Sequence, residues 1–425
     1  MPPEGYVNRW NLEGSPQPFI VKNFRSFGFV FPADPAGIRA LCQRQLNEPA
    51  GESDLYRPIR GVPLVWVTFG TAERMMSSEP PYDRFGFSPE TELTFWIPVW
   101  APSGHIAWFA PYMFVDNPLA IAQGREIYGF PKELATFRPA RTPQALSRLE
   151  VDAFAAKELR SDSEWQMQTV VAIDGAHGPD PSEAARWKTC DAVGDALAAQ
   201  AAGAAAVETA LEALSRFTGG FFPWPPRGTL VLLKQTPSVV RGSDTSYQAI
   251  VEAGVKVPEV HRGWILSSPL TPEHRFTLHL PAMQSHPIAK DLGLADGVEA
   301  LLAFRLDFDF TLEVGRETWV KHGAAASFPA GGPSLWFRDV VQALWTPGIL
   351  AQGVFSWVEA ALLGRGRRQP PASHPRSRHR PTPVWRPPQL DDPPARSLAK
   401  RTRRARPLRR RRAPSAAPAP QRTNE

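Results

Sequence analysis

Apolar positions along this chain fall in short runs separated by turn residues, and most of the runs are rich in aromatic and β-branched side chains. "VKNFRSFGFVF" (Val21–Phe31), "VPLVWVTFG" (Val62–Gly70), "ELTFWIPVWA" (Glu92–Ala101) and "HIAWFAPYMFV" (His105–Val115) read as strands. Segments of the same character return at Ser163–Gly175, Gly228–Pro237, Tyr247–Leu266 and Leu301–Gly315. Helical patterning is rarer. "ADPAGIRALCQRQL" (Ala33–Leu46) offers Asp34 as a cap and Pro35 at the first helical position. Asp191–Phe217 repeats Ala and Leu at helical spacing. Many strands and few helices predict a β-rich α+β domain, not a doubly wound sheet.

Charge divides the chain more sharply than hydropathy does. From Gly364 onward there are 18 Lys and Arg against three acids, so the whole-chain +6 leaves residues 1–363 near −9. The high isoelectric point therefore belongs to the tail, and the body is acidic. Residues 365–425, mostly Pro, Arg, Ala and Ser, hold too few large apolar groups to offset the entropy of ordering and are expected to be disordered. "KRTRRARPLRRRR" (Lys400–Arg412) is read as a solvated basic run, with no specific nucleic-acid binding expected. Residues 326–364 read as a helical extension, two amphipathic helices broken at Pro347, and no transmembrane segment is expected because charges interrupt every apolar run. Two distant cysteines, Cys42 and Cys190, and the lack of a basic, apolar leader point to the cytoplasm.

Candidate chemistry is sparse. No glycine-rich phosphate loop, metal-ligand spacing or serine-nucleophile motif occurs. His105 reads as a strand-edge histidine. Asp307 and Asp309, two apart in "RLDFDFTLE", share one strand face, which is expected to be solvated opposite Phe308 and Phe310. One stretch stands out: "GREIYGFPKELA" sets Lys132 among Ile127, Tyr128, Phe130 and Leu134, with Glu133 directly after it. Pro131 favours extended chain here, so Lys132 and Glu133 are expected to point to opposite faces.

"DNPLAIAQGREIYGFPKELA" resembles the active-site segment of the acetoacetate decarboxylase family, with P-K at the Schiff-base lysine. "ELTFWIPV", "VLLKQTP" and "FRLDFDFTLEVGRETW" resemble further segments of that family, so the likeness runs over roughly residues 17–320. It implies a mostly antiparallel, barrel-like sheet with a few flanking helices over residues 1–325. It further implies a carbon–carbon lyase that decarboxylates a small β-keto acid, acetoacetate by default, through an imine on Lys132. The covalent imine replaces any cofactor, no metal is involved, and a homo-oligomer is expected. Lysine titrates near ~10.4 when free, and an apolar setting disfavours its ammonium, freeing the lone pair the reaction needs.

The same resemblance assigns the remaining candidates. Glu92 corresponds to an active-site glutamate and is expected to shuttle a proton. The family's second active-site glutamate falls in "VPLVWVTFG", which has no acid, and its second lysine is replaced by Glu133. Phe24 falls where the family carries an arginine, so Arg25, one residue later, is the expected partner of the substrate carboxylate. Tyr128 and Phe130 are expected to line the substrate pocket, and Arg125 and Glu126 to form an ion pair supporting the lysine loop. Two other outcomes stay open at this point: a pyruvate aldolase-dehydratase using the same lysine, and a non-enzymatic ligand-binding barrel.

Overall fold

A computed structural model describes residues 15–59, 63–175, 186–189, 192, 227–268 and 274–322. Its framework is a ring of strands made from the segments whose apolar patterning is densest. In spatial order these are β5 (Ile106–Val115), β9 (Arg227–Pro237), β10 (Thr245–Ser267), β13 (Leu302–His322), β1 (Phe19–Pro32), β3 (Leu64–Ser77) and β4 (Ser88–Trp100). A β4–β5 pairing closes the ring. Its pairings are antiparallel except at Trp108–Phe109, where β5 meets β9 in parallel. The expected β-rich, barrel-like α+β architecture is what the chain adopts.

A second limb leaves the ring at β5. β6 (Lys132–Arg138) pairs in parallel with Met113–Val115 of β5. Beyond it lie β7 (Arg148–Ala155), β8 (Gln166–Gly175), β11 (Phe276–His279) and β12 (Val298–Glu299), while β2 (Arg57–Pro58) extends the ring beside β4. Of these, β8 falls within the expected Ser163–Gly175 strand, whereas β7, β11 and β12 are additions to the sequence reading. The expectation of extended chain at Lys132 is met by β6.

The two faces of the ring strands feed two apolar cores. Val30, Trp66, Trp108, Leu232, Phe304 and their neighbours fill one, and Phe27, Phe29, Phe31, Val67 and Phe109 pack with β6–β8 and β11 in the other. The helix Pro35–Cys42 buries Ile38, Leu41 and Cys42 in the second core, with the Asp34 carboxylate accepting from Ala36 N at 3.0 Å. That cap satisfies an amide that would otherwise lack a partner.

Strand β1 changes phase part-way. Phe19 and Val21 face one core; a bulge follows at Lys22–Asn23, where Asn23 has φ +54°. After it Phe24 faces the same core, and Arg25 is turned out. One extra residue inverts the alternation of everything that follows.

Asp307 and Asp309 do not form a solvated face. Both are buried: Asp307 accepts from Arg305 Nε at 2.6 Å and Arg262 Nε at 2.7 Å, and Asp309 from Lys22 Nζ at 2.6 Å and the Asn23 amide at 2.8 Å. Partners from β10 and β1, together with Arg305 on the same strand, make that burial tolerable. Among the described residues no helix is long and apolar enough to cross a membrane. The Asp191–Phe217 helix, the 326–364 extension and the 365–425 tail lie outside the described residues, the single position 192 apart.

Candidate active site

The segment before Lys132 is held by its own hydrogen bonds. Asn117 caps the helix Pro118–Gln123 by accepting from Leu119 N at 3.0 Å, with Pro118 at the first helical position. The chain then makes one wider turn over Gly124–Tyr128, closed by Gly129 N and Phe130 N on the Gly124 carbonyl. Gly124 is required by closeness: a Cβ there would lie 2.7 Å from Lys132 Cδ. The lysine stem therefore lies flat against this turn, and its amine reaches into the ring.

There it meets two carboxylates from one strand. Glu90 and Glu92, two apart on β4, point to the same side, and both line the cavity that Lys132 enters. Lys132 Nζ donates to Glu90 Oε1 at 2.5 Å, and both side chains are buried. Burial first, and the Glu90 carboxylate second, push Glu92 from an ordinary 4.5 up to about 8, against the pull of Lys132. At neutral pH the Lys132–Glu90 pair thus lies beside a carboxyl group, Glu92, that keeps its proton.

The cavity, about 80 Å³, is otherwise walled by carbon, with Phe24, Trp96, Phe130, Phe308 and Phe310 among its sides. Its one other polar lining residue, Thr68, accepts from Trp96 Nε1 at 3.0 Å. A second, more open hollow of about 500 Å³ shares Phe130 and Lys132 and carries Gln45, Arg125, Glu133 and Gln235 as its remaining polar lining. Among the described residues no cluster of three or more His, Cys, Asp or Glu is placed to hold a metal ion.

The sequence candidates distribute unevenly over this site. Lys132, Glu92 and Phe130 meet at the cavity, with Lys132 Nζ 5.7 Å from the centre of the Phe130 ring. Glu133 faces away as expected, accepting from or donating to nothing in the cavity and lying 2.9 Å from His286 Nε2. Arg25 does not reach the cavity. The β1 bulge turns it to Glu73, which it pairs with at 2.8 Å, and gives its place to Phe24. Tyr128 is a packing residue, buried with its hydroxyl donating to Glu313 O at 2.9 Å. No ion pair joins Arg125 to Glu126 among the described residues. Both side chains are exposed, and Arg125 Nη1 lies 3.5 Å from the Lys132 carbonyl.

Glu90 is the site residue that sequence reasoning missed. The signal was available, because Glu90 stands two residues before Glu92 in "SPETELTFW" and so shares its strand face.

The sequence model of the acetoacetate decarboxylase (ADC) family matches residues 16–188, a stretch that contains Lys132, Glu90 and Glu92. Residues 16–188 belong to the acetoacetate decarboxylase family. Strands β9, β10 and β13, which complete the ring, lie beyond that stretch. Among solved structures, the crystal structure of acetoacetate decarboxylase from Legionella pneumophila subsp. pneumophila str. Philadelphia 1 is 18% identical. It covers 75% of this chain and 92% of its own at a TM-score of 0.45. The enduracididine biosynthesis enzyme MppR, complexed with the condensation product of pyruvate and imidazole 4-carboxaldehyde, is 13% identical. It covers 72% of this chain and 90% of its own at a TM-score of 0.43. An acetoacetate decarboxylase-like enzyme from Sphingomonas wittichii RW1 is 11% identical, covering 71% and 92% at a TM-score of 0.41. No curated protein matches the chain.

Proposed function

We propose that the protein is a Schiff-base-forming carbon–carbon lyase that decarboxylates a small β-keto acid on Lys132. The observation that carries this reading is the contact of a buried lysine amine with one carboxylate, 2.5 Å away, beside a second carboxyl whose pKa is about 8.

Attack on a ketone needs the amine's lone pair, so the ammonium proton first passes along the short hydrogen bond to Glu90. The amine adds to the carbonyl carbon. With the proton returned, the carbonyl oxygen leaves as water and an iminium stands in place of the ammonium. The carbon–carbon bond to the carboxylate then breaks, carbon dioxide departs, and its electron pair neutralises the iminium to an enamine. Glu92, which holds its proton at neutral pH, protonates the enamine carbon. Water adds to the regenerated iminium, the ketone leaves, Lys132 returns to its ammonium form, and Glu92 recovers its proton from solvent. In this reading the iminium is the electron sink, so no bound cofactor is called for. The carbon walls serve the cleavage as well, because a substrate carboxylate loses its charge as it becomes carbon dioxide.

Borohydride reduction in the presence of acetoacetate, followed by peptide mass spectrometry, tests the assignment. The expected result is an isopropyl adduct on the peptide bearing Lys132, with carbon dioxide released in turnover and both lost in Lys132→Ala. No adduct on that peptide with any keto acid would overturn it. Trapping by pyruvate alone would move the reading to a condensing enzyme.

A further inference from the structure

We propose that the substrate of this site carries an apolar chain or ring of several carbons on its ketone, and that acetoacetate is a poor fit to it. The inference rests on the imine chemistry at Lys132 proposed above and adds the class of substrate that the cavity selects.

Four of the sixteen residues that line the cavity are polar. Glu90, Glu92 and Lys132 are accounted for by the reaction, and the Thr68 hydroxyl is engaged by Trp96. The other twelve lining residues are apolar. A methyl ketone would occupy only the region beside the amine. The remaining space, out of a volume on the order of five waters, would hold water against carbon with few hydrogen-bonding partners. An alkyl or aryl group would displace that water and gain apolar burial.

Two features of the backbone build this wall. The β1 bulge inverts the strand phase, so Phe24 enters the cavity and Arg25 leaves it. Gly70, across from Ser26 on β3, lacks the side chain that would collide with the Phe24 ring. Phe24 then packs edge-on against Phe308 and Phe310, with ring centres 5.3 and 5.5 Å away. The lining continues to Met75, Phe310 and Leu312, which are only partly buried. Val21 pairs in register with both Met75 and Phe310, so these residues gather at one place on the ring. That partly open end gives the chain of the substrate somewhere to extend.

The test is a series of β-keto acids of rising chain length, from acetoacetate through 3-oxohexanoate and 3-oxooctanoate, assayed for kcat/KM and for borohydride trapping on Lys132. The expected result is a rise of about fourfold per methylene over the first two or three, the equivalent of ~0.8 kcal/mol each, then a plateau. Met75→Trp, which fills the open end, is expected to abolish that gain. Trapping across the series with flat or falling kcat/KM would overturn the inference and leave the role of Lys132 intact. Absence of trapping throughout would overturn the role of Lys132. The apolar site is then read by calorimetric titration with secondary alkanols, which cannot form an imine. Affinity that rises with chain length upholds the site, and a flat series overturns it.

Discussion

Glu92→Gln tests the electrostatics of the cavity while keeping its shape. The Glu92 carboxyl titrates near 4.5 when free and at about 8 in the folded protein, driven by burial and by Glu90. Between those values the folded chain holds a proton that the unfolded chain has lost. Stability tied to this group is therefore at full value below pH 4.5, falls as pH rises to about 8, and is level above that. The span of 3.5 units corresponds to an upper bound on the order of 5 kcal/mol. Glutamine has no such titration. Urea unfolding of both proteins at intervals from pH 4.5 to 9 gives the difference directly, since other groups cancel. The variant's stability relative to wild type should climb with pH, with a slope approaching ~1.4 kcal/mol per unit between pH 5 and 8, and then stop. Parallel pH profiles for the two proteins would refute the argument. In the proposed reaction the same titration governs catalysis, so wild-type kcat should decline above pH 8 as the proton donor is lost.

Three further outcomes follow from the same geometry. Lys132→Met leaves the Glu90 carboxylate buried without its partner and should cost about 3–5 kcal/mol of stability; adding Glu90→Gln should recover most of it in urea unfolding, and failure to recover would mean the pair is not the source. Gly124→Ala places a methyl against the Lys132 stem, so borohydride trapping should slow at least tenfold while circular dichroism stays native; an unchanged trapping rate would show that the stem has room to shift. Glu133→Gln keeps an acceptor for His286 but removes its charge, and should cost no more than about 1 kcal/mol. Because Glu133 faces away from the cavity, trapping on Lys132 should stay within about threefold of wild type, and a larger loss would count against that orientation.

Legibility in the sequence followed the density of the apolar pattern. The ring strands carry Phe, Trp, Val and Ile on both faces because each face packs against a core, so their runs were plain in the chain. β7 was overlooked although Leu149, Val151, Ala153 and Ala155 alternate cleanly; half of that inward face is alanine, too small to stand out. Lys132 was legible through its motif, and Glu90 through strand alternation alone. Arg25 was not. Its direction depends on a bulge hinted at only by Asn23, a residue type that tolerates positive φ. The burial of Asp307 and Asp309 was equally hidden, because Arg262 and His261 on β10 and Lys22 on β1 become their neighbours only when the ring closes.

The contact between Lys132 and Glu90 at first looks opposed to nucleophilic chemistry, since a carboxylate stabilises an ammonium. In water that objection would hold. In a carbon-walled cavity both ions of the pair carry a desolvation penalty that the neutral amine and carboxyl do not. Moving one proton along a 2.5 Å hydrogen bond removes both charges at once. In the reaction proposed above, Glu90 is then the store for the proton that the attacking amine must lose and the departing ketone oxygen must gain. Glu92, raised by the same burial and by the charge of Glu90, is left with the other proton the reaction needs. The two carboxyls are chemically identical and two residues apart, and contact with the lysine amine is what separates their roles. If that division is right, Glu90→Gln should suppress adduct formation itself. Glu92→Gln should still form the adduct and release carbon dioxide once, then stall before the ketone leaves. Rapid-quench measurement of carbon dioxide against ketone would distinguish them, and loss of both products together in Glu92→Gln would show that the roles are not divided in this way.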